Sequence, residues 1–273
     1  MRTNLEANTL GGLPKSKPVT PGPFSSQVST TTFEPEPGIE LSLRLENQAV
    51  TQPTRVAVFM DFEGEPNVVG DTLARQFSTA GWRVVNLDLR ATGSRANPGD
   101  KIGRAPDHNT AEWSLWLGRP LLGQWVQDVR AALTVMEEAP GWPKEVTLVG
   151  RGPAGIVALC AAALDPRIKQ VVTVGTLASY LSEEPYLGQR LGIMAPGIVR
   201  DVGDVPQLAA LVAPRRLVIA GGVTGGGKAL EPSALKDAFS FTRHIYAVTR
   251  SDAALTILDS SQSGNIVRAV SQP

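Results

Sequence analysis

The stretch EVTLVGRGPAGIVAL, residues 145–159, sets Gly150, Gly152 and Gly155 between an apolar run and an apolar segment of helical composition. Two chemistries use a strand, a tight glycine turn and a helix in that order. One is dinucleotide binding, where G-x-G-x-x-G lets the backbone approach a pyrophosphate at a helix N-terminus. The other is acyl transfer, where G-x-S-x-G bends the chain sharply enough to lift a serine above a sheet. In this sequence the nucleophile's slot of such an elbow is Gly152, with Gly150 and Ala154 two residues to either side.

The dinucleotide reading fails on order. Its glycine turn follows the first strand, and an acidic residue about 20 positions on takes the ribose hydroxyls. Here at least three strand-like runs precede the turn, and the next run, IKQVVTVG, ends at Gly175 without a carboxylate. The elbow reading keeps its steric rule, because Gly150, Ala154 and Gly155 are small where strand and helix approach closely. Its chemistry is missing. Gly152 carries no nucleophile, and Pro153 has no N–H to offer an oxyanion. The partners should follow in the order Ser, Asp or Glu, His. RRLVIA has no acid after it until Glu231, and ALTIL is followed by DSSQSGN, which has no histidine. His108 lies ahead of the elbow and His244 ahead of the last strand run.

Residues 221–229, GGVTGGGKA, come close to a phosphate loop through Gly222, Gly227 and Lys228. That loop needs Ser or Thr next, to hold magnesium, and the sequence has Ala229. Pro232 falls where the following helix should donate N–H groups. The stretch therefore reads as a glycine-rich loop at a strand end, and it is the one feature that points to nucleotide binding.

Other candidates are single residues. Cys160 sits in GIVALCAAAL, so it reads as a small core residue rather than a thiol nucleophile. With one cysteine there is no internal disulfide and no cysteine metal site. Asp107 and His108, with Asn109, either touch a substrate or metal or cap a helix through Asn109 or Thr110. Ser179 and Tyr180 follow the strand after the elbow helix and border the cleft. Trp113, Trp116 and Trp125 either pack a long helix on the sheet or line a sugar-binding face; the spacing favours packing. His244, beside Arg243 and Tyr246, reads as a partly buried helix residue. No residue set calls for a metal or cofactor.

The elements that must position these residues are legible as apolar patterns. GIELSLRLEN alternates, which marks a half-buried strand near an antiparallel edge. RVAVFMDFEG, RVVNLDLRATG, EVTLVG, IKQVVTVG, RRLVIAGG and ALTILDS are apolar enough to be strands covered on both faces. Between them come a helix over Asp71–Ala80, a polar loop over 91–111 and a helical stretch over 112–139 interrupted near Pro120. An apolar helix, an irregular stretch over 176–210 and a helix over 232–249 follow. Alternating strands and helices predict a doubly wound, mostly parallel α/β sheet with helices on both faces. Residues 1–37 are rich in Pro, Gly, Ser and Thr and read as an arm or linker, leaving 38–273 as the domain.

Lys and Arg together number 26, as do Asp and Glu. That balance argues against nucleic-acid binding, which needs a cationic surplus. No apolar run reaches the roughly 18 residues of a membrane span. The N-terminus lacks the apolar core of a secretory signal, so the complete chain is expected in the cytoplasm unless it is part of a larger exported protein.

The chain resembles the α/β-hydrolase superfamily, and within it acetyl xylan esterase-like bacterial proteins. The resemblance is carried by TLGGLPK, FEPEPGIEL, DHN with LGRPLLGQWVQDV, LVGRGPAGIVALCAAALDP and APRRLVI, and is greatest to the C-terminal of two tandem hydrolase-like domains. It implies carbohydrate or small carboxylic esters as the substrate class and a catalytic esterase domain, in tandem or on another chain, as partner. No catalytic residue carries over, since the serine position is Gly152. The expected function is an accessory or binding module that has lost the triad. Ester hydrolysis by non-standard residues and nucleotide binding at 222–228 are the alternatives.

Overall fold

Strands that are apolar on both faces need cover above and below. The computed structural model, which describes residues 1–14, 30–46, 53–63, 72–139, 141–259 and 263–272, meets that need with one eight-stranded sheet between two helical layers. The strands are β1 (Thr30–Glu36), β2 (Ile39–Leu45), β3 (Arg55–Met60), β4 (Arg83–Leu87), β5 (Glu145–Arg151), β6 (Ile168–Leu177), β7 (Arg216–Val223) and β8 (Leu255–Leu258). Their spatial order is β1-β2-β4-β3-β5-β6-β7-β8. β1–β2 and β2–β4 pair antiparallel, and every other pair is parallel. The helices are α1 (Arg2–Asn4), α2 (Thr72–Thr79), α3 (His108–Trp116), α4 (Leu121–Glu138), α5 (Ala154–Leu164), α6 (Ile198–Asp201), α7 (Val205–Ala210), α8 (Pro232–Ala238), α9 (Ser240–Val248) and α10 (Ser263–Ser271).

The alternation of side chains along each strand divides the apolar residues between two cores. Val56, Val58, Leu148, Val171 and Leu217 join the larger one with α4 and α5. Ala57, Phe59, Val149, Val172 and Val218 join the smaller one with α2 and α10. Helix α5 is buried almost throughout, as its unbroken apolar composition requires. Cys160 on it is fully buried, and burial pushes its thiol up to about 12.

The folded unit includes parts of the stretch expected to be an arm. Thr30–Glu36 forms edge strand β1, and its Phe33 is fully buried. Pro35 falls within the register shift between Phe33 and Glu36, at the sheet edge, where a missing N–H is tolerated. Leu5 and Leu10 are buried in the larger core. Arg2 Nε donates to the Ala163 carbonyl at 2.9 Å, and its Nη2 to that of Leu211 at 2.6 Å. Residues 15–29 of the expected arm lie outside the described residues, as does Asp71 at the expected start of α2.

Three further expectations are corrected. The stretch 176–210 contains α6 and α7, too short to show periodicity, and α10 follows β8. Trp125 packs in the core against Phe62, with ring centroids 4.4 Å apart, but Trp113 is 48% and Trp116 74% exposed. Those two lie on α3, which ends before Pro120 and so does not share the buried face of α4. His244 is exposed on α9 rather than partly buried, because that helix turns Thr242 and Tyr246 inward.

Candidate functional site

The turn after β5 is built by contacts that its sequence only suggests. A Cβ on Gly150 would lie 2.6 Å from the Ala154 carbonyl oxygen and from Gly155 Cα. One on Gly155 would overlap the Thr176 hydroxyl on β6. Both positions must therefore be glycine for α5 to seat on the sheet. Gly152 is different. Nothing lies within 4 Å of where its Cβ would project, but its φ is +50°. Glycine takes this left-handed φ without strain, and any residue with a Cβ would be strained there. Gly152 N–H donates to the Val174 carbonyl at 2.8 Å, and Gly155 N–H to that of Gly152 at 3.1 Å, which fixes the bend.

Charged groups from two other segments surround this turn. Asp61 follows β3, and Glu63 N–H donates to its carboxylate at 3.0 Å. Burial, together with the nearby Glu63 charge, raises the Asp61 carboxyl above its ordinary range, while Arg151 and Arg190 pull against that rise. Arg190 Nη2 pairs with Glu63 at 2.7 Å and donates to the Phe62 carbonyl at 3.3 Å. Asp61 and Arg151 thus belong to the candidate site although sequence reasoning did not select them. The signal was present: both stand at the C-terminal ends of parallel strands, where sheets of this kind bind ligands. Arg190 had no signal, because it arrives from the irregular stretch.

Three of the four cleft candidates, Asp107, Ser179 and Tyr180, tie loops together. Both carboxylate oxygens of Asp107 accept backbone N–H bonds, from Leu191 and Gly192, at 2.8 Å each. Burial raises the Asp107 carboxyl, and those two bonds resist the rise. His108 opens α3 with Nδ1 3.8 Å from Glu112. Neither Asn109 nor Thr110 caps this helix by its side chain. Asp100 accepts from Thr110 N–H at 2.6 Å, and Asn109 bonds the Gly99 carbonyl. Ser179 bonds the Asp204 carboxylate, which also accepts from Tyr180 N–H at 2.6 Å and caps α7. The Tyr180 hydroxyl donates to the Ile193 carbonyl at 3.0 Å. Among the described residues, neither histidine hydrogen-bonds a serine, cysteine or aspartate. No group of three or more His, Cys, Asp or Glu gathers there either. No helix among those residues is long and apolar enough to cross a membrane.

The second glycine turn, after β7, is filled. Lys228 Nζ pairs with Glu184 at 2.6 Å, and Leu187 N–H donates to the Gly225 carbonyl at 2.8 Å. A Cβ on Gly225 would lie 2.5 Å from Ser182 Cβ, and one on Gly226 would overlap the Glu184 carboxylate.

Strand order, two antiparallel pairs at one edge, and a left-handed turn between the fifth strand and a buried helix define the α/β-hydrolase fold. No family model matches the sequence, and no curated protein matches it. Solved structures do match. One is the crystal structure of a Bacteroides fragilis protein assigned as an acetyl xylan esterase. It has a TM-score of 0.71 at 15% identity, over 94% of this chain and 72% of that one. A glucuronoyl esterase of carbohydrate esterase family 15 from Caldicellulosiruptor kristjansonii matches at TM-score 0.63 and 16% identity, over 98% and 83%. A methylesterase matches at 0.59 and 18%, over 98% of this chain but 59% of its own length. At these identities the likeness establishes the fold.

Proposed function

We propose that the chain is a non-catalytic member of the esterase-like α/β-hydrolases, an accessory or binding module whose elbow has kept its shape without its nucleophile. The observation that carries this reading is Gly152, held at φ +50° with open space where a serine side chain would stand. Pro153 removes the N–H that would follow a nucleophile, and residues 259–273 contain no histidine. The bound ligand is a carbohydrate or small carboxylic ester. The proposed partner is a catalytic esterase domain in tandem or on another chain.

Loss of a serine hydrolase's triad costs on the order of 10⁶ in kcat. The test is hydrolysis of p-nitrophenyl acetate by the wild-type chain and by His108→Ala. The expected rate equals that of buffer for both. Saturable turnover that falls in His108→Ala would overturn the reading and establish a working esterase.

A further inference from the structure

The loops after β4 and β6 enclose two adjoining depressions on the face where the parallel strands end. One, of about 280 Å³, is lined by Ile102, Arg104, Tyr186, Arg190, Leu191 and Met194. The other, of about 330 Å³, is lined by Tyr180, Tyr186, Met194, Ala195, Ile198 and Val199. Tyr186 and Met194 belong to both, so the two make one elongated groove. Its floor is mostly apolar, and its rim carries exposed Ile102 (51%) and Val199 (40%) beside Arg104, Gln189 and Arg200. The Tyr186 hydroxyl is engaged by the Tyr180 carbonyl, so the ring is what it offers a ligand.

The charges along the groove are unequal. Arg200 at one end is tied through Nε and Nη2 to Asp201. Arg190 in the inner wall is paired with Glu63. Arg104 at the other end pairs with no carboxylate among the described residues, and Lys101 precedes it by three positions. Arg104 is also firmly presented. Ile102 N–H donates to the Ala105 carbonyl at 3.2 Å and Ala105 N–H to that of Ile102 at 3.1 Å. Gly103 takes φ +58° between them, which closes a two-residue turn with Arg104 at its tip. An apolar channel with one uncompensated cation at its end complements an amphiphile with a single anionic head.

We propose that this groove binds a free carboxylic acid with an apolar chain. The chain lies against Tyr186, Leu191, Met194 and Ile198, and the carboxylate pairs with Arg104. An acid holds no ester bond to cleave, and to that extent the proposal rests on the reading of a module that binds without turnover. The two fail separately, because ester turnover is read by hydrolysis and this site by binding.

The test is a titration of the ¹⁵N-labelled full chain with octanoate, butanoate and 1-octanol, followed by amide chemical shifts. Octanoate should give saturable shifts confined to residues 102–105 and 186–199. It should bind at least about tenfold tighter than butanoate, since each buried methylene contributes a factor of up to roughly four. It should bind about fivefold tighter than 1-octanol, the scale of one exposed ion pair. Arg104→Gln, a change at an exposed turn, should erase that preference and leave 1-octanol binding unchanged. Met194→Gln should weaken both ligands. Equal binding of octanoate and 1-octanol by the wild type, no saturable shift, or shifts centred on Trp113 and Trp116 would each overturn the proposal.

Discussion

The two glycine-rich turns look alike in sequence and differ in what replaces the missing side chains. After β5, the outer glycines are pressed against backbone and Thr176, while Gly152 faces open space at a left-handed φ. After β7, Gly225 and Gly226 are covered by the Ser182–Glu184 segment and Lys228 is held by Glu184. The first turn displays a position, and the second closes a seam between two loops. A glycine pattern alone does not separate these roles, since one residue type serves close approach, backbone strain and plain packing.

Substitutions at these turns test the contrast directly. Gly155→Ala should have the largest effect, a loss of about 3 kcal/mol in urea unfolding, because Thr176 on a central strand cannot retreat. A loss under about 1 kcal/mol would mean that helix and strand are not in firm contact. Gly225→Ala should cost less, about 1–2 kcal/mol, since Ser182 lies in a loop that can shift. Gly152→Ser has room and pays mainly backbone strain, about 1 kcal/mol. It should remain inactive on p-nitrophenyl acetate, and a burst of acyl-enzyme would reveal a base that the geometry does not place there.

The smallest effect is a pH dependence near the turn after β5. The folded Asp61 carboxyl is raised by burial, so the native state takes up its proton at a higher pH than the unfolded chain does. Stability from this group is present below the unfolded carboxylate value and is lost as pH rises through the raised folded value. Asp61→Asn should remove that part of the slope between the two values, measured as the difference in urea midpoint between pH 4 and pH 7. An unchanged difference would place Asp61 in solvent rather than against the turn.

Most of the sheet was legible because double-covered strands such as RVAVFM and EVTLVG leave little else for their apolar runs to do. The glycine turn was legible as a strand, turn and helix, and the structure sets it between β5 and α5. β1 was hidden because Glu34, Pro35 and Glu36 read as linker, although edge position and a bulge accommodate them. α6 and α7 are too short for a helical period. The partners of the turn, Asp61, Arg151 and Arg190, depend on segments up to 129 positions apart in the chain, and no local pattern reports such meetings. Trp113 and Trp116 misled because helical spacing says that residues share a face without saying what that face meets.

The opening residues also set a timetable. Arg2 closes on Leu211, 209 positions later, and Leu5 and Leu10 enter a core that includes α7. Contacts this distant are the slow ones in folding. During synthesis, the contact of Arg2 with Leu211 can form only after α7 has been made, whereas its bond to Ala163 on α5 can form earlier. Residues 2–10 thus join stretches of chain that are made far apart in time.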